Sequence, residues 1–147
     1  KAMQYFPKGA VKIVSDRIGA DFDKVINNME QNHEENEIVC ECEMVTRSEI
    51  KYVAQDPASY YLNDIRLRTR LGMGTCQGTF CALRAISALE NENIEMKLKP
   101  TDNIKNFLQE RWNGLRPALW GGQLREAGLT RAIYLSTLNF DGEGYEA

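Results

Sequence analysis

Four cysteines constrain this chain more than any other feature: Cys40 and Cys42, then 33 residues, then Cys76 and Cys81. None is left over. Two close pairs separated by a domain-sized stretch is how a short chain presents four thiolates to one centre. Three chemistries compete for such a set. A disulfide within Cys-x-Cys would close a tight, strained ring, and nothing else in the sequence points to an oxidising compartment. Structural zinc accepts four thiolates, but its pairs are usually spaced by roughly two to four residues on ribbon or knuckle turns. An iron–sulfur cluster is the third candidate.

The residues around the cysteines favour the cluster. Thr46 and Glu49 have capping-box spacing, which predicts a helix from about Arg47 to Ala54 with Cys42 just before it. Residues 72–78 form a loop with three glycines, Gly72, Gly74 and Gly78. A longer helix is expected to follow to about Glu90, with Phe80, Leu83, Ile86 and Leu89 on one face, Cys76 just before it and Cys81 within it. Both pairs then sit at predicted helix N-termini, where unpaired N–H groups and the positive end of the dipole favour negative charge. An oxidised four-thiolate [2Fe–2S] centre carries a formal charge of about −2. The glycines would let backbone amides approach the sulfurs, which raises a reduction potential. A helix cap and a tight turn explain one or two of those glycines without any cluster.

The rest of the chain reads as helix. Pro7 suits a first helical turn, Val11, Val14 and Ile18 follow at helical steps, and Gly19 fits the residue past a helix end. Phe22, Val25, Ile26 and Met29 form a second face, which runs out in a polar surface loop over 31–37 containing His33. A short helix is expected from about Asn63 to Leu71, closed by Gly72. Thr101 or Asp102 can cap a helix carrying Ile104, Phe107, Leu108 and Trp112, ended by Gly114 and Pro117. A last helix covers about Leu124 to Leu138, before a short Gly- and Glu-containing tail. No convincing strand pair or internal repeat is visible, so the expected fold is all-α: a small helical domain with a helix-loop-helix cluster-binding core and flanking helices.

Composition narrows the function. Lysine plus arginine is 18 and aspartate plus glutamate is 21, a net charge of −3, which argues against a nucleic-acid partner. No apolar run approaches the roughly 18–20 residues of a membrane span, and no signal peptide opens the chain. Because the first residue is Lys1, the sequence is expected to be a piece of something longer. The single histidine, His33, reads as an exposed loop residue. Arg66, Arg68 and Arg70 could offset cluster charge or dock a partner, although a solvated face serves as well. Trp112 and Trp120 could anchor an interface, or simply pack in the core. Tyr60, Tyr61 and Tyr134 suggest no chemistry.

Cys40-Glu41-Cys42, followed by Gly72-Met73-Gly74-Thr75-Cys76-Gln77-Gly78-x-x-Cys81 and preceded at that loop by Arg66, Arg68 and Arg70, resembles the bacterioferritin-associated-ferredoxin-like [2Fe–2S] domain. This resemblance spans residues 38–90. The flanks, Glu110-Arg111-Trp112 through Arg116-Pro117 and then 119–125, are similar to the C-terminal end of the large subunits of anaerobic glycerol-3-phosphate dehydrogenases.

The resemblance implies that Cys40, Cys42, Cys76 and Cys81 are the metal ligands, with Gly74, Thr75, Gln77 and Gly78 donating around them. It implies three parts: a helical segment at 1–37 leading from a flavin domain, the cluster domain at 38–91, and a helical extension at 92–147. It also implies an FAD-dependent, quinone-linked oxidoreductase of anaerobic glycerol metabolism, whose FAD lies in a catalytic domain outside this chain. The chain would relay electrons from flavin to partner subunits at the inner face of the cell membrane, with no span of its own. It carries no G-x-G-x-x-G after a strand, so it should neither bind FAD strongly nor turn over substrate alone. The alternative is a structural or interaction domain with a four-cysteine zinc site or an empty thiol set.

Overall fold

Helical spacing of apolar residues translates directly into the first two elements. The computed structural model describes residues 8–139, in which α1 is Lys8–Ile18 and α2 is Phe22–Gln31. Pro7 and the tail after residue 139 lie outside the described residues. Gly19 takes φ +73 and a one-turn 3-10 helix, Gly19–Asp21, joins α1 to α2. Val14, Val25, Ile26 and Met29 bury together as a small cluster of their own. The expected polar loop is instead a 3-10 turn, His33–Asn36, and its Glu35 is buried against Lys51. A polar sequence hid a buried ion pair there, because burial of a charge is decided by its partner.

One element was not expected. Ile38–Cys40 (β1) and Val45–Thr46 (β2) pair antiparallel, Ile38 with Thr46 and Cys40 with Val45, with a bulge between. The tight connection carries Cys42 and closes through Met44 at φ 53. Helix α3, Arg47–Ala54, begins where the capping box predicts: the Thr46 side chain accepts from the Glu49 N–H, and the Glu49 carboxylate accepts from the Thr46 N–H at 2.8 Å.

Helix α4 (Leu62–Thr69) ends on Arg70 in the left-handed conformation, two residues before the glycine expected to close it. Helix α5 (Cys81–Asn91) starts at the last cysteine. Phe80 and Leu83 are exposed, and the buried face is Cys81, Ala82, Ala85, Ile86 and Leu89. Small residues let α5 sit close against α3. Helix α6, Pro100–Leu115, has Pro100 in its first turn and runs through Gly114; α7 is Gly121–Thr137.

Ile50 and Val53 of α3, Leu62 and Ile65 of α4, the α5 face, and Ile104 and Phe107 of α6 form one continuous core. Fully burying a side chain the size of Phe107 contributes about 1.5–3 kcal/mol. Asn103, also buried, ties α6 to α4: its carbonyl accepts from the Leu62 N–H at 3.1 Å, and its amide donates to the Leu98 carbonyl at 3.0 Å. The fold is a small, mostly helical domain with a two-stranded hairpin. No helix among the described residues is long and apolar enough to cross a membrane.

Candidate metal centre

The hairpin turn and the 72–80 loop place the cysteines as two neighbouring pairs, Cys40 with Cys81 and Cys42 with Cys76. Cys40 ends β1 and is buried; Cys42 sits exposed in the turn. Cys76 is half-buried in the loop, and Cys81 opens α5 and is buried. Only Cys81 therefore stands at a helix N-terminus. Cys42 precedes the α3 cap by four residues of hairpin, and Cys76 precedes α5 by a turn containing Gln77 at φ 52 and Gly78 at φ 90.

The thiols couple electrostatically as two pairs: the Cys81 thiol favours charge on Cys40, and the Cys76 thiol favours charge on Cys42. Charge interactions link the pairs, Cys40 with Cys42 and Cys76 with Cys81. Among the described residues, no three ligating side chains converge closely enough to hold a single ion.

Backbone N–H groups converge on the sulfurs. The Cys81 thiol, then the amides of Gly72, Glu43 and Cys42, hold Cys40 down to about 6 against the opposing effect of burial. The Cys76 amide, the Thr75 hydroxyl and the Cys76 thiol pull Cys42 below an ordinary cysteine. Cys76 is raised, mainly by burial, although the Gly78 and Phe80 amides point at it. Cys81 is raised by the neighbouring Cys40 thiol and then by burial. Each pair thus combines one readily ionised thiol with one that keeps its proton until an electropositive centre displaces it.

The glycines differ in what they do. An alanine Cβ at Gly74 would lie 2.2 Å from the Cys42 Cβ, so the missing side chain is the space that Cys42 occupies. At Gly78 a Cβ would meet the Phe107 ring at 2.3 Å, and at Gly72 the same ring at 2.8 Å. The buried ring props the loop so that the Gly72 and Gly78 amides reach Cys40 and Cys76. The Thr75 hydroxyl lies 3.6 Å from the Cys42 sulfur. Gln77 braces the loop, donating from both its backbone and its side chain to the Gly74 carbonyl at 3.0 and 2.8 Å.

Charged residues hold the frame. Arg17 reaches from α1 to the carbonyls of Glu43 and Met44 in the cysteine turn and to the buried Glu49 carboxylate at 3.1 Å. Arg70 pairs with Glu43 at 2.8 Å, Arg68 with Asp56, and Arg84 with Glu41. Of the three arginines singled out in the sequence, Arg70 therefore braces the cysteine turn, Arg68 does not touch it, and Arg66 turns toward Glu110 and Arg111 of α6. His33 stands apart in its exposed turn. Trp112 is half-buried under Arg131, whereas Trp120 is 78% exposed. Sequence reasoning assigned nothing to Tyr134, yet burial and the nearby Cys76 push its phenol up. That proximity joins α7 to the loop and leaves no local sequence signal.

Fold and site together define a small helical domain that presents paired thiols under backbone amides. The chain is similar to one segment of a larger dehydrogenase polypeptide. Over 110 residues, 75% of its length, it is 41% identical to the A-type subunit of anaerobic glycerol-3-phosphate dehydrogenase from Escherichia coli (strain K12), of which it covers 20%. Over 125 residues, 85% of its length, it is 39% identical to the A1-type subunit of the anaerobic glycerol-3-phosphate dehydrogenase of Haloferax volcanii, again covering 20%. The A-type subunit from Haemophilus influenzae is 36% identical over 113 residues, 77% of this chain and 20% of that one. The chain thus spans about a fifth of the length of these curated relatives. No family model and no solved structure matches it.

Proposed function

We propose that this chain is the electron-transfer [2Fe–2S] module of an FAD-dependent anaerobic glycerol-3-phosphate dehydrogenase, forming the C-terminal part of its large subunit. The observation that carries the reading is that two thiol pairs lie beside the backbone N–H groups of Gly72, Glu43, Cys76, Gly78 and Phe80, which favour charge on the sulfurs. Such donors favour an anionic thiolate centre. The pairwise arrangement supports two metal atoms with two thiolates each, whereas zinc would gather all four on one atom. A bound [2Fe–2S] cluster passes electrons singly, whereas a reduced flavin yields two. In this reading Cys40 and Cys81 hold the buried side of the centre, and Cys42 is the ligand nearest solvent and any docked flavin domain or electron-accepting partner. Gly74 and Thr75 seat Cys42, and Phe107 fixes the loop amides. Attachment to the inner face of the membrane would come through partner subunits.

The test replaces each cysteine in turn by serine and reconstitutes the proteins anaerobically with iron and sulfide. All four variants are expected to lose the visible charge-transfer bands of the wild type. A variant that keeps the full spectrum removes its residue from the ligand set. A colourless wild type holding one zinc overturns the reading in favour of a structural site.

A further inference from the structure

We propose that the cavity between the 75–80 loop, α6 and α7 is a binding site for a planar aromatic anion. Its volume, about 470 Å³, lies in the range of small-molecule sites, roughly 300–1,000 Å³. The walls are mostly apolar in area, leucines with Phe80 and Trp112; Arg111 and Arg131 supply the charges, and Tyr134, Gln77 and three threonines add neutral polar groups. Neither a bare phosphate nor a sugar suits such walls, because each would leave its polar surface facing leucine. A flat ring suits them. The Arg131 guanidinium lies 5.2 Å from the Trp112 ring centroid and donates to Gln109 at 3.0 Å, which fixes a cation above an aromatic face.

Arg111 supplies the second argument. Its Nε is buried without a hydrogen-bond acceptor, and so is that of Arg66. Burial, and then the Arg66 charge, disfavour the Arg111 cation, whereas Glu110 acts on Arg66. The half-buried Arg111 guanidinium has no carboxylate acting on it, and a ligand anion in the cavity would pair with its accessible end. A neutral ligand would leave Arg111 as it is. The site therefore selects a ring compound bearing a carboxylate, sulfonate or phosphate, held against the loop that carries Cys76. This binding does not depend on iron in the thiol site.

The test uses the 147-residue chain, metal-free, and two fluorescent probes that share one ring system. These are 1-anilinonaphthalene-8-sulfonate and the neutral N-phenyl-1-naphthylamine. The sulfonate is expected to bind about tenfold or more tighter, the scale of one charge-assisted contact. Arg111→Gln or Arg131→Gln should abolish that preference while binding of the neutral probe changes by less than about twofold, with near-ultraviolet circular dichroism reporting an intact fold. Arg131→Gln, on the outer helix, keeps the test available if Arg111→Gln misfolds. Equal affinity for the two probes, or a preference that survives both substitutions, overturns the proposal.

Discussion

Replacing Gly74 by alanine should damage the thiol site while sparing the core. The added Cβ would stand 2.2 Å from the Cys42 Cβ and 3.4 Å from its Cα and Sγ. Reaching the 3.4 Å of an ordinary contact requires a separation of about 1.2 Å (3.4 minus 2.2). Rotating the Cys42 side chain cannot provide it, because the clashing atom is the Cβ itself. The hairpin turn carrying Cys42 must move as a unit. Gly74 is absent from the glycines with positive φ, so the cost is steric alone, about 1–3 kcal/mol. The displacement falls on the exposed Cys42 and its contacts with Cys76 and Thr75, and the Phe107 core lies elsewhere. Urea unfolding of the metal-free protein should therefore show a loss of about 1–3 kcal/mol, and iron affinity should fall about 10–100-fold, the scale of disturbing the surroundings of a ligand. A variant that loads iron like the wild type would show that Gly74 is not the seat of Cys42. Collapse of the whole fold would show that site and core are not separable in this way.

Gly78→Ala tests the opposite case. Its φ of +90 and the 2.3 Å approach to the buried Phe107 ring together predict a loss of about 2–5 kcal/mol in metal-free urea unfolding, and a loss under about 1 kcal/mol would refute it. Arg17→Ala strands the Glu49 carboxylate, whose side chain is 0% exposed, and frees the cysteine turn; about 3–5 kcal/mol should be lost, along with most iron loading. Stability unchanged by this substitution would mean that the Arg17–Glu49 pair does not tie α1 to the site. Lys51 gives a pH signature: burial pushes its pKa down, but Glu35 and Glu92 outweigh that and hold it above the ordinary 10.5. Its contribution to stability is thus complete below about pH 10.5 and is lost as pH rises through the higher folded value. Wild type should lose stability faster than Lys51→Met in urea titrations carried above about pH 10.5, and parallel curves would contradict the assignment.

Legibility in the sequence followed the reach of each signal. The Thr46–Glu49 capping box acts over three residues, and it located α3 to the residue. The cysteine spacing and the glycine loop pointed to the region where the structure pairs the thiols, because residue type and backbone freedom are written locally. The β1–β2 hairpin escaped, since strands of three and two residues with a bulge carry no alternation to read. Phe80 and Leu83 looked like core and are exposed, because α5 packs through Ala82 and Ala85, whose small size says little in a periodic pattern. The left-handed Gln77–Gly78 turn delays α5 to Cys81, which removes Cys76 from the helix N-terminus where its neighbours seemed to place it. The contacts of Phe107 with the loop and of Arg111 and Tyr134 with the cavity join segments some thirty to sixty residues apart. Only the packed fold reveals such pairings.

The central claim is that Cys40, Cys42, Cys76 and Cys81 hold a two-iron cluster that moves electrons. Iron and labile-sulfide content, measured with the visible spectrum before and after reduction on anaerobically purified and reconstituted protein, tests it most directly. The account predicts a brown protein with about two irons and about two sulfides per chain, and charge-transfer bands that bleach on reduction. A colourless protein with one tightly held zinc and no reducible centre would contradict it.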